Sequence, residues 1–376
     1  MRGLLSHIPH HLASPTKYRR VNRDFIESTL KSMILNKNSH ENSLTPPVNP
    51  NRISWIDIAK GITILLVIIG HTVEFGGWVR NFIFSFHMPL FFILSGYTFH
   101  AAKTKNELWA HLRKNIRHLL IPCLLVSVIS VLWQWHLAPH TDMSTLYAIS
   151  KRMADALWYG SGVKVHTHPA AGAIWFIISL FWAKLIIDIV SLLFRTPKIG
   201  YLFTFLGIIG TVAGIRDKWM VQNFDVTLVA VFFIYIGMLW RANESIVQKW
   251  EAPLFALSVS FWSAALSYGI YIELASRHYP HTSVSVIEAL AGTFAICMLC
   301  KTLSENHITS EIFTFFGKHT LSIFFVHHLD WILRAYWGGH PIYINCTLRV
   351  LYVVIIALLF SLIWETLQRY RIRLFK

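Results

Sequence analysis

Residues 55–71 have the sequence WIDIAKGITILLVIIGH, which already indicates the fold class. It is an apolar run close to the ~20 residues that an α-helix needs to cross a bilayer. Three ionisable side chains interrupt the run, namely Asp57, Lys60 and His71. Ionisable groups at membrane depth are costly in free energy and mark functional sites by default. The stretch therefore predicts a membrane helix that carries chemistry.

Similar apolar runs recur along the chain. Of its 376 residues, 54% are hydrophobic and 14% are charged, whereas soluble domains have about 25% charged residues. The runs predict an all-α, polytopic integral-membrane helix bundle of about ten transmembrane helices. This composition excludes a soluble enzyme with a small anchor, a β-barrel, a disordered chain and a repeat solenoid. The predicted helices cover roughly 55–75, 82–100, 119–137, 173–194, 199–215, 224–240, 253–271, 284–303, 313–333 and 348–367.

The distribution of positive charge predicts the orientation. Of the 34 Lys and Arg residues, 23 fall in segments on the side of both termini and 9 in segments on the other side. Because cytoplasmic loops carry the excess of Lys and Arg, both termini are predicted to be cytoplasmic. The chain then divides into a basic cytoplasmic N-terminal segment (1–52), a transmembrane domain (53–368) and a basic cytoplasmic tail (369–376). The net charge of +15 is a topology signal, so the expected partner is the lipid bilayer and not nucleic acid.

Histidines recur at a similar depth on three of the predicted helices. In the first, Lys60 and His71 are eleven residues apart, so they lie on nearly the same face about 16 Å from each other. The second helix carries His87, and the ninth carries His327 and His328. A single buried histidine more often satisfies a structural hydrogen bond than it catalyses a reaction. The face shared with Lys60 favours a catalytic or ligand-binding role for His71.

Basic residues cluster just before the third predicted helix, at Arg113, Lys114 and Arg117. They favour either ordinary positive-inside anchoring or a clamp for phosphate groups, whose oxygens match guanidinium donors. In the fourth helix, Lys184 and Asp188 are four residues apart, which predicts a structural ion pair. The spacing of His and Cys residues matches no zinc motif, so no metal is expected.

Four short motifs extend from residue 52 to about residue 330. In this combination the chain resembles the acyltransferase-3 family of integral-membrane acyltransferases, and most of all its fucose O-acetylase-like branch. The motifs are DIAKG and GH at 57–61 and 70–71, FHMPLFF and SG at 86–92 and 95–96, RHLLIP at 117–122, and WF at 175–176 with GKHTLSIFFVH at 317–327.

The resemblance implies a membrane O-acyltransferase of the bacterial inner membrane. It would move an acyl group, usually acetyl, from cytoplasmic acetyl-CoA to a hydroxyl of a glycan, a lipid-linked sugar or another envelope acceptor. The family's essential histidine falls on His71, and its basic residue eleven positions earlier falls on Lys60. Together with Asp57 and His87, they form the expected catalytic group.

The donor and acceptor residues follow from the same resemblance. The basic pair before the third helix matches Lys114 and Arg117, although many members have arginine where this chain has Lys114, so Arg113 is a second candidate for that contact. The expected substrate-binding residues are Ser95, Trp175, His327 and His328.

The chemistry leaves alternatives open. His71 can act as a general base that takes the proton of the acceptor hydroxyl, or as a nucleophile that carries the acyl group. The rival class is a polytopic transporter of a small polar or anionic substrate, although no internal repeat of the kind common in transporters is found.

Overall fold

The computed structural model describes residues 52–73, 77–196, 198–330 and 340–374. The predicted basic segment 1–52 therefore lies, except for Arg52, outside the described residues. The described residues from Ser54 onward belong to one compact unit. Within them there is no β-strand, and only two isolated β-bridges occur. The helices are α1 (Ser54–Gly70), α2 (Trp78–Tyr97), α3 (Lys105–Asn115), α4 (Ile121–His136), α5 (Met143–Tyr159), α6 (Trp175–Leu193), α7 (Ile199–Ile215), α8 (Phe224–Ala242), α9 (Glu244–Lys249), α10 (Glu251–Ser267), α11 (Ser283–Leu303), α12 (His307–Lys318), α13 (Thr320–Leu329) and α14 (Ile342–Leu374).

The all-α membrane bundle is confirmed. Among the described residues, six helices are long and apolar enough to cross a membrane, and α7 and α13 are shorter apolar helices. The figure of about ten spans stays a prediction. The six long helices are Trp78–Tyr97, Lys105–His136, Gly172–Leu193, Val221–Ala242, Ser283–Leu303 and Ile342–Ile363.

In two segments the helices of the structure differ from the predicted set. The ninth predicted helix, 313–333, is divided into α12 and α13, which meet at His319. The segment 138–172, which lies between the third and fourth predicted membrane helices, contains α5. Its ends carry ordinary helix signals, because the Asp142 side chain accepts a hydrogen bond from the Thr145 backbone N–H at 2.9 Å and Gly160 ends the helix at φ 68°. An apolar-run criterion misses α5 because this helix is amphipathic and not apolar throughout.

The third predicted helix begins earlier than expected and contains a wide turn. From Lys105 to His136 the chain is continuously helical, and Ile116–Leu120 between α3 and α4 adopts π-helical geometry. A π-segment inserts an extra residue into the helical turn and often occurs at functional sites. Arg117 lies within this segment.

Glycines bring α1 into close contact with its neighbours. A Cβ atom at Gly317 of α12 would lie 1.9 Å from the backbone oxygen of Asp57, and one at Gly61 would lie 2.2 Å from that of Phe313. Only glycine allows two backbones to approach this closely. Because α1 also packs against α2, α11, α13 and α14, it lies at the centre of the bundle.

The two ends of α1 define two ends of the bundle. Trp55 at the start of α1 contacts Tyr97 at the end of α2, with ring centroids 5.2 Å apart, so the two helices are antiparallel. We call the end where α1 starts the lysine end, because Lys60 lies there. We call the end where α1 stops the histidine end, because His71 follows the last residue of α1.

The outer helices expose apolar side chains. On α4, Leu124, Leu125 and Val128 are each more than half exposed, and on α14 the same holds for Leu351 and Ile355. A soluble domain would bury such faces, whereas lipid accommodates them. The exposed apolar faces therefore agree with an integral-membrane bundle.

Candidate functional site

His71 lies at the first turn beyond α1. Its backbone N–H still bonds to the Val67 carbonyl at 3.0 Å, so the residue extends the helix by one step, and its side chain is exposed. Its imidazole contacts the rings of His327 and Phe84, with centroids 5.2 Å away in both cases. The structure thus combines an accessible histidine with a second, buried histidine from α13.

His327 and His328 are buried near the end of α13. Among the described residues, Nδ1 of His327 and Nε2 of His328 have no hydrogen-bond partner. Buried polar atoms are satisfied in most proteins, so such atoms indicate a place for water or substrate. Gly172, before α6, lies against His328, where a Cβ atom would be 3.2 Å from Cε1. The pair therefore faces the segment that leads into α6.

His87 is a buried neighbour on α2. Its Nδ1 lies 3.0 Å from the Ile83 carbonyl oxygen, which can only accept, so Nδ1 carries the proton and Nε2 keeps its lone pair. Its ring is 4.5 Å from that of Phe84, which in turn contacts His71. The structure therefore brings the three predicted histidine positions, His71, His87 and His327, around Phe84 and α13 at one end of the bundle.

Arg349 links separate segments of the chain at the histidine end, and the sequence analysis did not identify it as a site residue. It is buried on α14, and its Nε donates to Asp330 Oδ2 at 2.7 Å. Its Nη1 donates to the His71 carbonyl at 3.2 Å and to Thr72 Oγ1 at 2.8 Å. A single guanidinium thus joins the turn that carries His71 to the end of α13. The sequence does contain a signal for this contact, because an arginine and an aspartate lie inside or beside two apolar runs. Opposite charges in such positions commonly pair within the membrane.

The lysine end carries the other part of the predicted site. Asp57 is buried and Lys60 is partly exposed on α1. Lys60 of α1 and Lys114 of α3 are both close enough to interact electrostatically with Lys184 of α6. Arg113 and Lys114 on α3 and Arg117 in the following π-helical segment are all exposed, in keeping with either anchoring or ligand binding.

The predicted ion pair of Lys184 and Asp188 does not form a direct salt bridge among the described residues, although the two charges attract each other. Asp188 instead accepts hydrogen bonds from the backbone N–H of Ala102 at 2.7 Å and from Nδ1 of His111 at 3.0 Å. These two donors come from the chain between α2 and α3 and from α3 itself, so the carboxylate serves tertiary packing. The spacing of residues along one helix could not show that donors from other segments would bond to Asp188.

The predicted substrate-binding residues fall into two groups. Trp175 is buried at the start of α6, beside Gly162, and belongs to the histidine end with His327 and His328. Ser95 lies two residues before Tyr97 and therefore at the lysine end, so the structure does not bring it to the histidines. Among the described residues, no group of three or more His, Cys, Asp or Glu side chains is placed to hold a metal ion.

Comparisons with known proteins identify the family of the chain. A family described as an acyltransferase domain matches residues 53–365. The chain is also 29% identical over 221 residues to the nodulation protein NolL of Mesorhizobium japonicum, an alignment that covers 51% of this chain and 58% of NolL. The chain thus spans little more than half the length of this relative. No solved structure matches the chain.

Proposed function

Because the chain belongs to the acyltransferase-3 family and is an acyl-transferring membrane enzyme, we propose that it acetylates a hydroxyl group of an envelope glycan or lipid-linked sugar, with acetyl-CoA as donor. The observation that carries this proposal is the contact between an accessible His71 and a buried, incompletely hydrogen-bonded His327. An accessible imidazole supported by a second one suits proton transfer to and from a hydroxyl. The family favours this function over the transporter alternative.

His71 is proposed as the general base. It takes the proton of the acceptor hydroxyl while the hydroxyl oxygen attacks the thioester carbonyl of the donor. The carbon–sulfur bond then breaks, the thiolate of CoA leaves and receives a proton, and the products are an acetyl ester and free CoA. His87, with its Nε2 lone pair, and His327 are proposed to orient the acceptor and the imidazole of His71. The alternative, in which His71 itself carries the acetyl group, uses the same residues.

The lysine end is proposed to face the cytoplasm and to receive the donor. Lys60 lies eleven residues before His71, which corresponds to about 16 Å along the helix axis. A donor whose phosphates bind at Lys114, Arg117 and Arg113 can extend its pantetheine arm through this distance toward His71. The acceptor then enters at the histidine end, from the outer side of a bacterial inner membrane.

Labelled acetyl-CoA tests the proposal directly. Membranes that contain the wild-type protein should transfer acetyl label to a glycan or lipid fraction, and mild alkali should release the label because it is held as an ester. His71→Ala should reduce this transfer by at least about 10²-fold, the usual contribution of a general base. His307→Ala on α12 provides the control, since its side chain is 83% exposed. Full transfer by His71→Ala protein would refute the mechanism, and uptake of label without any ester would indicate a transporter.

A further inference from the structure

Lys184 carries a positive charge inside the bundle without a salt bridge. It is partly buried on α6, and among the described residues no carboxylate lies within salt-bridge distance of its Nζ. Its Nζ lies 5.7 Å from the centroid of the Phe99 ring. An aromatic face at this distance attracts an ammonium group only weakly. Asp188, four residues further along α6, attracts this charge without a direct salt bridge, so the charge is only partly compensated.

The packing of α3 on α6 places a second lysine beside the first. His111 of α3 bonds to Asp188 of α6 at 3.0 Å, which aligns the two helices at this level. One turn further into the bundle, α3 presents Lys114 and α6 presents Lys184, because residues three or four apart share a helix face. The two ammonium groups interact electrostatically, and Lys60 of α1 also acts on Lys184.

A cationic cleft opens next to this cluster. It has a volume of about 600 Å³, within the range of about 300–1,000 Å³ typical of ligand sites. Phe99 lines the cleft, so one aromatic side chain borders both the cleft and Lys184. Lys103, Arg195 and Arg241 line it as well. Arg241 is paired with Glu244, and a cleft lined by charges of one sign concentrates anions.

We propose that Lys184 is a donor-binding residue that contacts the diphosphate of acyl-CoA, together with Lys114 and next to the cleft bordered by Phe99. This inference rests on the proposed function for the identity of the donor. The chemistry recognised is a phosphate anion, which a lipid headgroup also offers. The experiment therefore compares donors with and without phosphates, and bilayers with and without anionic lipid.

Lys184→Gln is measured in purified full-length protein in nanodiscs of phosphatidylcholine. The two donors are acetyl-CoA and S-acetyl-pantetheine, which has the same thioester and no phosphate. Water takes the acetyl group as acetate when no acceptor is added, and the readout is the free thiol that this hydrolysis releases. We expect kcat/KM for acetyl-CoA to fall about 10- to 100-fold, mainly through KM, because a charged contact to phosphate is lost. The value for S-acetyl-pantetheine should not change. Lys184→Arg should retain most of the activity with acetyl-CoA.

Lys249→Gln is the matched control, because this exposed lysine on α9 undergoes the same change of charge away from the cluster. This variant should leave kcat/KM unchanged for both donors. If kcat/KM of Lys184→Gln protein fell equally with both donors, Lys184 would have a structural role. If kcat/KM fell with neither donor, Lys184 would not belong to the donor site. An effect that appears only in nanodiscs with phosphatidylglycerol, for both donors alike, would identify a lipid phosphate and overturn the proposal.

Failure of the proposed function is distinguishable from failure of this inference. If membranes that contain the wild-type protein transferred no acetyl label to any glycan or lipid fraction, the proposed function would fail. Titration calorimetry of CoA and of pantetheine would then still decide the site. Weaker binding of CoA alone to Lys184→Gln protein supports the phosphate contact, and equal binding to both proteins excludes it.

Discussion

The imidazoles of His71 and His327 face each other with ring centroids 5.2 Å apart, although the two residues come from opposite ends of the chain. His71 is exposed and His327 is buried, with an Nδ1 atom that has no partner among the described residues. The exposed ring is accessible to an acceptor, and the buried ring limits its orientation. This pair is the part of the proposed active site that a helix-by-helix interpretation cannot derive.

His327→Phe should slow transfer while the protein still folds. Phenylalanine fills the same space but cannot exchange a hydrogen bond with His71 or substrate, so kcat should fall by about 10²-fold. The combination with His71→Ala should be no slower than His71→Ala alone, because residues that act as a unit are not additive. If the fall in kcat of the double variant equalled the product of the two single falls, the two histidines would act independently. His307→Phe provides the comparison, since it changes an exposed histidine.

Variants of the Arg349–Asp330 ion pair can distinguish an effect on stability from an effect on the position of His71. Arg349→Gln removes the guanidinium that neutralises the buried Asp330 carboxylate, which should lower the free energy of unfolding by about 3–5 kcal/mol. Adding Asp330→Asn should restore most of that stability, because both charges are then gone. Transfer should nevertheless remain slow, since the Arg349 hydrogen bond to the His71 carbonyl is still missing. Thermal unfolding and kcat, measured on both variants, check this prediction, and recovery of kcat together with stability would contradict it.

Gly317→Ala should separate α1 from α12. The added methyl would lie 1.9 Å from the Asp57 backbone oxygen, which no side-chain movement can relieve. The expected cost is about 1–3 kcal/mol or more of stability, as for other overpacked sites. The midpoint of thermal unfolding in detergent measures it. Glu311→Ala on the same helix, whose side chain is 71% exposed, should leave the midpoint unchanged. An unchanged midpoint in Gly317→Ala would show that the two helices are not in this close contact.

Opposite ends of the bundle should be accessible from opposite sides of the membrane. Trp78 at the start of α2 is 70% exposed at the histidine end, and Trp109 on α3 is 58% exposed near the lysine end. On a background without the four native cysteines, Trp78→Cys should react with a membrane-impermeant thiol reagent only from outside. Trp109→Cys should react only from the cytoplasm, as the positive-inside charge distribution predicts. Reaction of both from the same face would overturn the topology and the proposed path of the donor.

The sequence alone was enough to predict the fold class and the family, and it supplied most residues of the proposed site. Apolar runs of membrane length, the charges within them and four motifs were sufficient, because lipid leaves helices as the main way to satisfy the backbone. The spacing of Lys60 and His71 followed from helix geometry alone. These features are local, so they can be read along the chain.

The tertiary structure decided which side chains meet. His71 contacts His327, Arg349 bonds to the turn of His71, and Asp188 bonds to His111 and not to Lys184. Each of these contacts joins different helices, and the order of helices in a bundle is determined by packing at positions such as Gly61 and Gly317. Helical periodicity determines which face a residue occupies but not which helix packs against that face. For that physical reason the partners of the charged residues, and with them the proposed donor contact at Lys184, emerged only from the three-dimensional arrangement.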